Sequence, residues 1–317
     1  MTEHDAFAHI DLMTAWEGSA GLEDFAALPA GVEAALEPPF ALSLPVGEPA
    51  PFVFASPHSG RDYPDELMSA AALDGAAIRR SEDAFVDELI GSAPAHGAAV
   101  IAARYARAFV DLNREAYELD PGMFEDELPA FARARTARVA AGLGSIARVV
   151  GEGQEIYARK LTFAEASRRI EGVHRPYHQA LAGLVDAAHS RHGRVALIDW
   201  HSMPSAASGP GDGPRKGCDM VLGDRFGSAC APALTRLVER ELEGMGYRVA
   251  RNAPYAGGYT TEFYGRPAEG VHALQIEINR AVYLDEARMT PNIGFAKLKR
   301  DLDRLVKVLA RDWRKGL

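Results

Sequence analysis

Several features that mark other protein classes are scarce or missing in this sequence. Its 317 residues include only two cysteines, Cys218 and Cys230, which form neither a CxxC pair nor a zinc-finger spacing. No run of 18 apolar residues occurs, so no segment is expected to cross a membrane. The N-terminus also lacks the charged and then apolar pattern of a secretory signal. We therefore expect a cytoplasmic protein with two free thiols.

Clusters of basic residues are missing as well. The formal net charge is −9, and no block of lysine or arginine stands out. Nucleic acids and anionic membranes are therefore not expected as partners, although a local group of arginines can still bind a small anion. Nothing in the sequence indicates an oligomeric state.

The apolar content is sufficient for a large core. Apolar residues make up 47% of the chain, and neither an internal repeat nor a dividing linker is evident. Residues 1–45 are rich in alanine, glutamate and proline, so we interpret them as an N-terminal extension. Residues 46–317 are predicted to form a single α/β domain.

The order of apolar patterns predicts the fold class. Short apolar runs that end in turn-forming residues predict strands at 51–57, 97–114, 194–200, 218–224, 247–252 and 271–279. Helical spacing of apolar residues predicts helices at 75–94, 162–192, 228–245 and 291–314. Thr162 and Glu165 have the spacing of a capping box, and Pro176 is expected to kink or divide the helix that follows. This alternation predicts a central, mostly parallel sheet with helices on both faces and a ligand beyond the carboxyl ends of its strands.

Two histidines occupy that position. His58 and His201 each follow an apolar strand and are followed by small or turn-forming residues. Neutral imidazoles suit zinc, and catalytic zinc sites combine three protein ligands with an open position. A second pair, His174 and His178, is four residues apart on one helical face, where a structural role or a role behind the site is expected.

A third ligand is expected to be a carboxylate or another histidine. The stretch 81–89 offers four acids, and Asp83 and Asp87 are predicted to share one face of a helix; the four are Glu82, Asp83, Asp87 and Glu88. A solvated charged face explains the same pattern, so the residues alone leave both interpretations open.

Further chemistry is predicted at two strands. Glu277 lies between isoleucines in the last predicted strand, where a buried carboxylate must be paired, protonated or near a metal, and can act as a general base. Asp111, Asn113 and Arg114 end an earlier strand. Arg114 and Arg280 either pair with Glu277 or bind a substrate carboxylate.

The loop 253–267 is rich in glycine and tyrosine. It lacks the strand before and the helix after that a dinucleotide-binding loop requires. We interpret it as a loop that covers the substrate, with Tyr259 as a substrate contact. Asn113, Arg114 and Arg280 are the other predicted substrate-binding residues.

Six stretches between residues 50 and 300 resemble the N-formylglutamate amidohydrolase family, whose members are also called N-formylglutamate deformylases. They occur in the family's order: SPHSG (56–60), EDAFVDEL (82–89), DLNR (111–114), DWHSMP (199–204), GGYTTEFYGRPAEGVHALQIE (257–277) and YLDE (283–286). The resemblance implies a three-layer α/β/α fold of the phosphorylase/hydrolase-like type, shared with zinc carboxypeptidases. It also implies hydrolysis of N-formyl-L-glutamate to formate and L-glutamate, as in histidine degradation.

The resemblance implies a metal site by position. His58 and His201 match the two histidine ligands, for one Zn²⁺ or another divalent transition metal per chain. The carboxypeptidase-like relatives have an acidic ligand three residues after the first histidine, where this chain has Arg61. The acid is therefore expected from elsewhere, with Asp83 as the choice and Glu82 as the alternative.

The resemblance also implies catalytic residues. Glu277 resembles the catalytic glutamate of the carboxypeptidase-type enzymes, and Arg114 matches an arginine that binds the substrate or the oxyanion. The histidine-degradation deformylases carry cysteine and glutamine after this glutamate, where this chain has Asn279 and Arg280 after Ile278. This departure leaves the acyl amino acid open. The alternatives are a zinc carboxypeptidase or amidase acting on another N-acyl amino acid or peptide, and a non-catalytic protein that binds a small ligand.

Overall fold

A seven-stranded sheet forms the centre of the protein. The computed structural model describes residues 39–150, 153–209 and 217–313, which belong to one compact unit, Ala35–Leu317. The strands of the sheet are β1 (Phe40–Ser43), β2 (Phe52–Ser56), β3 (Ala99–Ala103), β4 (Val195–Met203), β5 (Met220–Gly223), β6 (Val249–Arg251) and β7 (Val271–Asn279). Their order is β1-β3-β2-β4-β7-β5-β6.

The sheet is mixed and mostly parallel, as predicted. Only β1 with β3 and β5 with β7 pair antiparallel among its neighbours. Strand β1 lies within the segment 1–45 that the sequence predicted as an extension, and residues 1–38 lie outside the described residues. A small separate hairpin consists of β8 (Leu284–Asp285) and β9 (Thr290–Pro291).

Helices cover both faces of the sheet. They are α1 (Asp65–Ala70), α2 (Gly75–Ile78), α3 (Val86–Leu89), α4 (Ala137–Ala140), α5 (Phe163–Arg169), α6 (Arg175–His192), α7 (Pro232–Gly244), α8 (Tyr259–Tyr264) and α9 (Phe295–Asp312). Phe52 and Phe54 of β2 pack in a core with α3, α7 and α9, whereas Val53 and Ala55 pack in a second core with α1, α5 and α6. Short 3₁₀ turns occur at Arg79–Ser81, Ala93–His96, Pro121–Met123, Ser205–Ser208, Pro267–Glu269 and Arg280–Val282. No helix in the described part of the chain is long and apolar enough to span a membrane.

The central strands follow the apolar pattern closely. Every residue of β2, β4 and β7 is buried, because helices cover both faces of this region. The prediction for 97–114 was too long, since the strand ends at Ala103 and residues 104–114 leave the sheet. Asp111 accepts the backbone N–H of Asn113 at 2.8 Å, which stabilises a turn instead of a strand.

The continuous helix predicted over 75–94 is wrong. Phe85 has a left-handed backbone with φ 63°, which interrupts a right-handed helix between α2 and α3. Asp83 and Asp87 therefore do not share a helical face. Asp83 lies in the turn before α3 and is buried, whereas Asp87 pairs with Arg61 at 2.5 Å.

The helix predicted over 162–192 begins as expected and is divided. Thr162 is its N-cap, and both hydrogen bonds of the capping box with Glu165 are present. A π-helical turn, Ile170–His174, separates α5 from α6. Pro176 follows this turn and has no N–H for the regular helical hydrogen bond, which explains why the helix changes its pattern here.

Candidate metal centre and substrate pocket

The predicted histidines meet at the carboxyl ends of adjacent strands. His58 follows β2, and His201 lies near the end of β4, opposite Glu277 of β7 in the parallel register. Asp199 is opposite Gln275 in the same register. Because alternate residues of a strand face the same side, these four side chains project from one face of the sheet; they are Asp199, His201, Gln275 and Glu277.

Three potential ligand atoms converge within this region. Nδ1 of His201 lies 3.1 Å from Nδ1 of His58 and 3.0 Å from Oδ2 of Asp83. The third separation, between His58 Nδ1 and Asp83 Oδ2, is 3.4 Å. Tetrahedral bonds of about 2.0–2.1 Å to zinc would place ligand atoms about 3.3 Å apart. The His58, Asp83 and His201 group can therefore hold a metal ion.

A carboxylate lies behind each imidazole. His58 Nε2 donates to Asp111 Oδ1 at 2.7 Å, and His201 Nε2 lies 2.9 Å from Asp199 Oδ2. An ionised carboxylate only accepts hydrogen bonds, so these contacts would keep the ring proton on Nε2 when each Nδ1 binds a metal ion. Histidine ligands of metal sites are oriented by carboxylates in this way.

Asp83 is oriented by groups on its other side. Its Oδ1 accepts hydrogen bonds from Ser202 Oγ at 3.1 Å and from Arg280 Nη2 at 3.2 Å. Arg280 also donates to Ser202 and to the backbone carbonyls of Arg80 and Glu82. The predicted substrate contact of Arg280 stays a prediction, because its observed contacts fix the carboxylate of Asp83.

Glu82, the alternative ligand, has other partners. Its Oε1 accepts hydrogen bonds from Tyr63 Oη at 2.6 Å and from Arg79 Nε at 2.9 Å. The structure therefore brings Asp83 to the two histidines, and directs the carboxylate of Glu82 to Tyr63 and Arg79.

The carboxylates dominate the electrostatics of the group. Burial alone would lower the pKa of His201, but Asp199, Asp83 and Glu277 raise this pKa well above its ordinary value. Burial alone would raise the pKa of Asp83, yet the two histidines hold it well below its ordinary value. The region therefore favours positive charge, as a site for a divalent cation should.

Glu277 lies beside this group, and its pKa is shifted in the opposite direction to that of Asp83. Its side chain is 7% exposed, and Oε1 accepts a hydrogen bond from Gln275 Nε2 at 2.7 Å. Burial, with a contribution from the charge of Asp83, raises the pKa of Glu277 to about 7, against the opposing effect of His201. A carboxyl with a pKa near neutrality can accept and return a proton.

The three potential ligands and Glu277 line a cavity of about 600 Å³ that is rich in arginine. Its arginines are Arg80, Arg107, Arg114, Arg138 and Arg280. Arg107 was not identified from the sequence. Its Nε donates to Asp111 Oδ2 at 2.8 Å, while no described residue accepts a hydrogen bond from its two Nη atoms. Its position four residues before Asp111, where the chain leaves the sheet, is the signal that could have revealed it.

Arg114 lines the same cavity, and its role in binding the substrate or the oxyanion stays a prediction. Its Nε donates to the carbonyl of Leu143 at 2.8 Å, and its Nη1 to the carbonyl of Asn113 at 2.7 Å. Burial lowers the pKa of Arg114, and the charges of Arg107 and Arg138 lower it further, against the effect of Asp111. Cations held together in this way form a site for an anion.

Asn113 and Tyr259, both predicted to bind the substrate, line two different cavities. Asn113 lines the cavity, and its Oδ1 accepts the backbone N–H of Thr260 at 2.8 Å. Gly258 is needed beside it, because a Cβ there would come within 2.4 Å of the Asn113 amide. Tyr259 lines a neighbouring cavity, and it is Tyr255, missed from the sequence, that lines the cavity of the metal ligands.

The second histidine pair has a structural role, as expected. His174 Nε2 donates to the carbonyl of Arg114 at 2.8 Å, and His178 Nε2 donates to the carbonyl of Leu112 at 2.8 Å. Burial lowers the pKa of His178 to about 3, so its ring is neutral near pH 7. The helix thereby fixes the loop that carries Asp111, Asn113 and Arg114.

Comparison with known proteins decides the family. A family model described as N-formylglutamate amidohydrolase matches residues 50–284. The chain belongs to this family. The resemblance in the six sequence stretches is therefore confirmed.

Members of the N-formylglutamate amidohydrolase family resemble the chain over most of its length. The N-formylglutamate deformylase of Pseudomonas putida is 30% identical over 239 residues, which are 74% of this chain and 82% of that protein. The corresponding protein of Pseudomonas aeruginosa is 28% identical over 74% of this chain and 83% of its own length. A crystal structure of the N-formylglutamate amidohydrolase from Ralstonia eutropha JMP134 is 42% identical, with a TM-score of 0.83, and covers 89% of this chain and all of that one. These relatives are enzymes that act on linear amides.

Proposed function

We propose that this protein is a metal-dependent amidohydrolase that converts N-formyl-L-glutamate and water into L-glutamate and formate. The observation that carries the proposal is the convergence of His58 Nδ1, His201 Nδ1 and Asp83 Oδ2 in a cavity that also holds Glu277. The names of the relatives support the substrate. The geometry supports the chemistry, since a family name alone does not fix what a site does.

The ligand set favours zinc or a similar transition metal. Two neutral imidazoles and one carboxylate suit an ion of borderline softness, and three protein ligands leave a position for water or substrate. A bound ion of this kind would supply Lewis-acid catalysis and lower the pKa of nearby water. Asp111, Asp199 and Arg280 would hold the three ligands in the orientation that they already have.

Glu277 is proposed as the general base and then the general acid. In its ionised form it accepts a proton from the attacking water as the new C–O bond forms at the formyl carbon. It returns this proton to the amide nitrogen as the C–N bond breaks, so that glutamate leaves as an amine. Formate retains the oxygen from water. The raised pKa of about 7 suits both directions of proton transfer, although a bound dication would lower it.

Arg107 and Arg114 are proposed to hold the substrate. Arg107 bonds Asp111, which in turn bonds His58, and Arg107 lines the cavity that contains the proposed metal ligands. Arg114 is three residues after Asp111 and lines the same cavity. Their charges suit the formyl oxygen as it gains negative charge, and the α-carboxylate next to the amide.

The two residues that differ from the histidine-degradation deformylases, Asn279 and Arg280, do not argue for another substrate. Asn279 donates from Nδ2 to the carbonyl of Cys218 and accepts the N–H of Ala281 with Oδ1. Arg280 fixes Asp83. Both residues thus contact the protein framework, which leaves N-formyl-L-glutamate as the best-supported substrate.

The fold type and the cellular location that were predicted from the sequence are part of the same proposal. Helices on both faces of the sheet, together with a His–Asp–His group and a glutamate on the neighbouring strand, support a three-layer fold of the zinc-carboxypeptidase-like type. Cys218 and Cys230 are free thiols, which agrees with the predicted cytoplasmic location. A place in histidine degradation stays a prediction.

The test is formate release by the purified, metal-loaded protein. We expect formate from N-formyl-L-glutamate, with much slower release of acetate from N-acetyl-L-glutamate and no cleavage of a C-terminal residue from peptides. Treatment with a chelator should abolish the activity, and added Zn²⁺ should restore it. Hydrolysis of peptides without release of formate would instead support the carboxypeptidase alternative.

A further inference from the structure

We propose that Arg138 is a specificity-determining residue that binds the side-chain carboxylate of the substrate. This inference rests on the proposed function and extends it to a residue outside the six family-like stretches. Arg138 is the second residue of the short helix α4 and lines the cavity of the metal ligands. It also lines the neighbouring cavity that contains Tyr259 and Phe263.

The position of Arg138 is fixed relative to Arg114 through one residue. The N–H of Leu143 donates to the carbonyl of Arg138 at 2.8 Å. The carbonyl of Leu143 in turn accepts a hydrogen bond from Arg114 Nε at 2.8 Å. The charge of Arg138 is also close enough to lower the pKa of Arg114. The two cations therefore face the same cavity from adjacent backbone segments.

Three arginines of the cavity differ in their neighbours. Arg107 Nε lies 2.8 Å and Arg114 Nε 3.9 Å from Asp111, the carboxylate behind His58, whereas Arg138 faces Glu118 and Glu262 and also lines the second cavity. An N-formylglutamate molecule has two anionic groups at different distances from the amide. Its α-carboxylate is next to the amide, and its side-chain carboxylate is at the far end. We therefore assign the side-chain carboxylate to Arg138, the one of these three arginines that also lines the second cavity.

The guanidinium of Arg138 has unused hydrogen-bonding capacity. Its charge is offset by Glu118 and Glu262, but both N–O separations are 4.0 Å, beyond hydrogen-bond distance. In the described part of the chain no residue accepts a hydrogen bond from its side chain, whereas Arg280 donates four. At 33% exposure, Arg138 is also reachable by a ligand in the cavity. A carboxylate could therefore form the two parallel hydrogen bonds that arginine favours.

The experiment compares two substrates that differ only in the charge of the side chain. Formate release from N-formyl-L-glutamate and N-formyl-L-glutamine is measured for wild type, Arg138→Gln, Arg138→Lys and the control Arg133→Gln. Arg133 lines the neighbouring cavity, is not among the residues that line the cavity of the metal ligands, and pairs with Glu115. Thermal unfolding and metal content of each variant show whether it is folded and loaded.

We expect the glutamate preference to be lost in Arg138→Gln alone. Its kcat/KM for N-formyl-L-glutamate should fall by about 10- to 100-fold, as for loss of a charge-assisted contact, while that for N-formyl-L-glutamine stays within about twofold. Arg138→Lys should keep part of the preference, because lysine retains the charge but not the paired geometry. Arg133→Gln should keep the wild-type ratio.

Other outcomes would overturn the inference. Equal losses on both substrates in Arg138→Gln would show a general structural effect, and an unchanged ratio would show that Arg138 does not contact the side-chain carboxylate. The same shift in Arg133→Gln would show an effect of overall charge. If wild type released formate from neither substrate, the proposed function itself would be wrong, and this inference with it.

Discussion

The side chains of the candidate site lie partly on buried strands and partly on irregular segments, and different interactions stabilise these two kinds of backbone. Strands β4 and β7 carry Asp199, His201, Gln275 and Glu277, all in register and inside fully buried strands. The other half of the site lies on two irregular segments, 79–85 and 104–114. These carry Asp83, Arg107, Asp111, Asn113 and Arg114.

The strand half is fixed by the sheet itself. Its positions follow from backbone hydrogen bonds and from the apolar residues that alternate with the polar ones. The loop half is fixed mainly by side chains. Asp111 accepts the N–H of Asn113, His178 and His174 hold two carbonyls of 112–114, and Arg280 holds Asp83. A side chain on a strand is therefore placed by the fold, whereas one on a loop depends on particular partners.

The largest effect is expected where the strand half meets the metal. His201→Ala removes one of three ligands, and we expect loss of bound zinc together with formate release that falls to background. Metal content by mass spectrometry and the activity assay check this. His189→Ala, at the end of α6 and bonded to the carbonyl of Glu269, is the control and should keep both properties. Full metal occupancy in His201→Ala would show that the ligand assignment is wrong.

The next largest effect is expected at Glu277 of the strand half, where catalysis should be lost while metal binding is retained. Glu277→Gln keeps the shape of the side chain and removes the proton acceptor, so kcat should fall by about 10²–10⁴-fold with metal content unchanged. Measured substrate binding should also persist. A near-normal kcat would place the base elsewhere. Asp111, the next candidate from the sequence, is bonded to both His58 and Arg107, so it would have to give up these contacts to act.

The loop half is tested by its two arginines. Arg114→Ala removes a charge-assisted contact with an expected contribution of about 1.5–3 kcal/mol, so kcat/KM should fall by roughly 10- to 100-fold or more. We expect a loss of similar size for Arg107→Ala. Wild-type kinetics of Arg114→Ala on every accepted substrate would exclude a role in binding. Metal content should be retained in Arg114→Ala, because this residue contacts backbone carbonyls and not a metal ligand.

A paired experiment compares the two halves directly. Asp199→Asn and Asp111→Asn each replace the carboxylate behind one histidine, and each should weaken zinc affinity by about 10–100-fold. Asp111→Asn should in addition lower the melting temperature more, since Asp111 also accepts the Asn113 N–H and a hydrogen bond from Arg107. Equal melting temperatures in a thermal unfolding assay would contradict the view that the loop depends on its side chains.

The same contrast explains what could be predicted from the sequence. The bounds of β7 and the buried Glu277 followed from an apolar run interrupted by one acid. The positions of His58 and His201 followed from the ends of such runs. The helix over 75–94 failed because nothing local reveals the left-handed Phe85 that turns Asp83 toward the histidines. The failure concerned backbone that tertiary partners, and not periodicity, determine.

Arg107, Tyr255 and Arg138 were missed for a related reason. Each lies outside a regular element or on a helix of one turn, so no periodic pattern assigns it a direction. Their roles appear only when several segments meet around one cavity. Tyr259 was selected from the predicted loop 253–267, but it begins helix α8, whereas Tyr255 lies in the irregular segment before this helix and faces the site.

The smallest effect concerns the helix that holds the loop, and it depends on pH. Burial and the nearby His174 lower the pKa of His178 to about 3 in the folded protein, from an ordinary value near 6.5. Below pH 6.5 the unfolded chain therefore binds a proton that the folded chain does not, and the free energy of unfolding decreases as pH falls toward 3. This one group contributes at most about 1.4 kcal/mol per pH unit. His178→Gln can still donate to the Leu112 carbonyl but cannot titrate. The measurement is urea unfolding of both proteins at several pH values between 7 and 5. The free energy of unfolding of His178→Gln should decrease less steeply with falling pH than that of wild type. Parallel curves of this free energy against pH would show that His178 is protonated in the folded protein or that the loop does not depend on it.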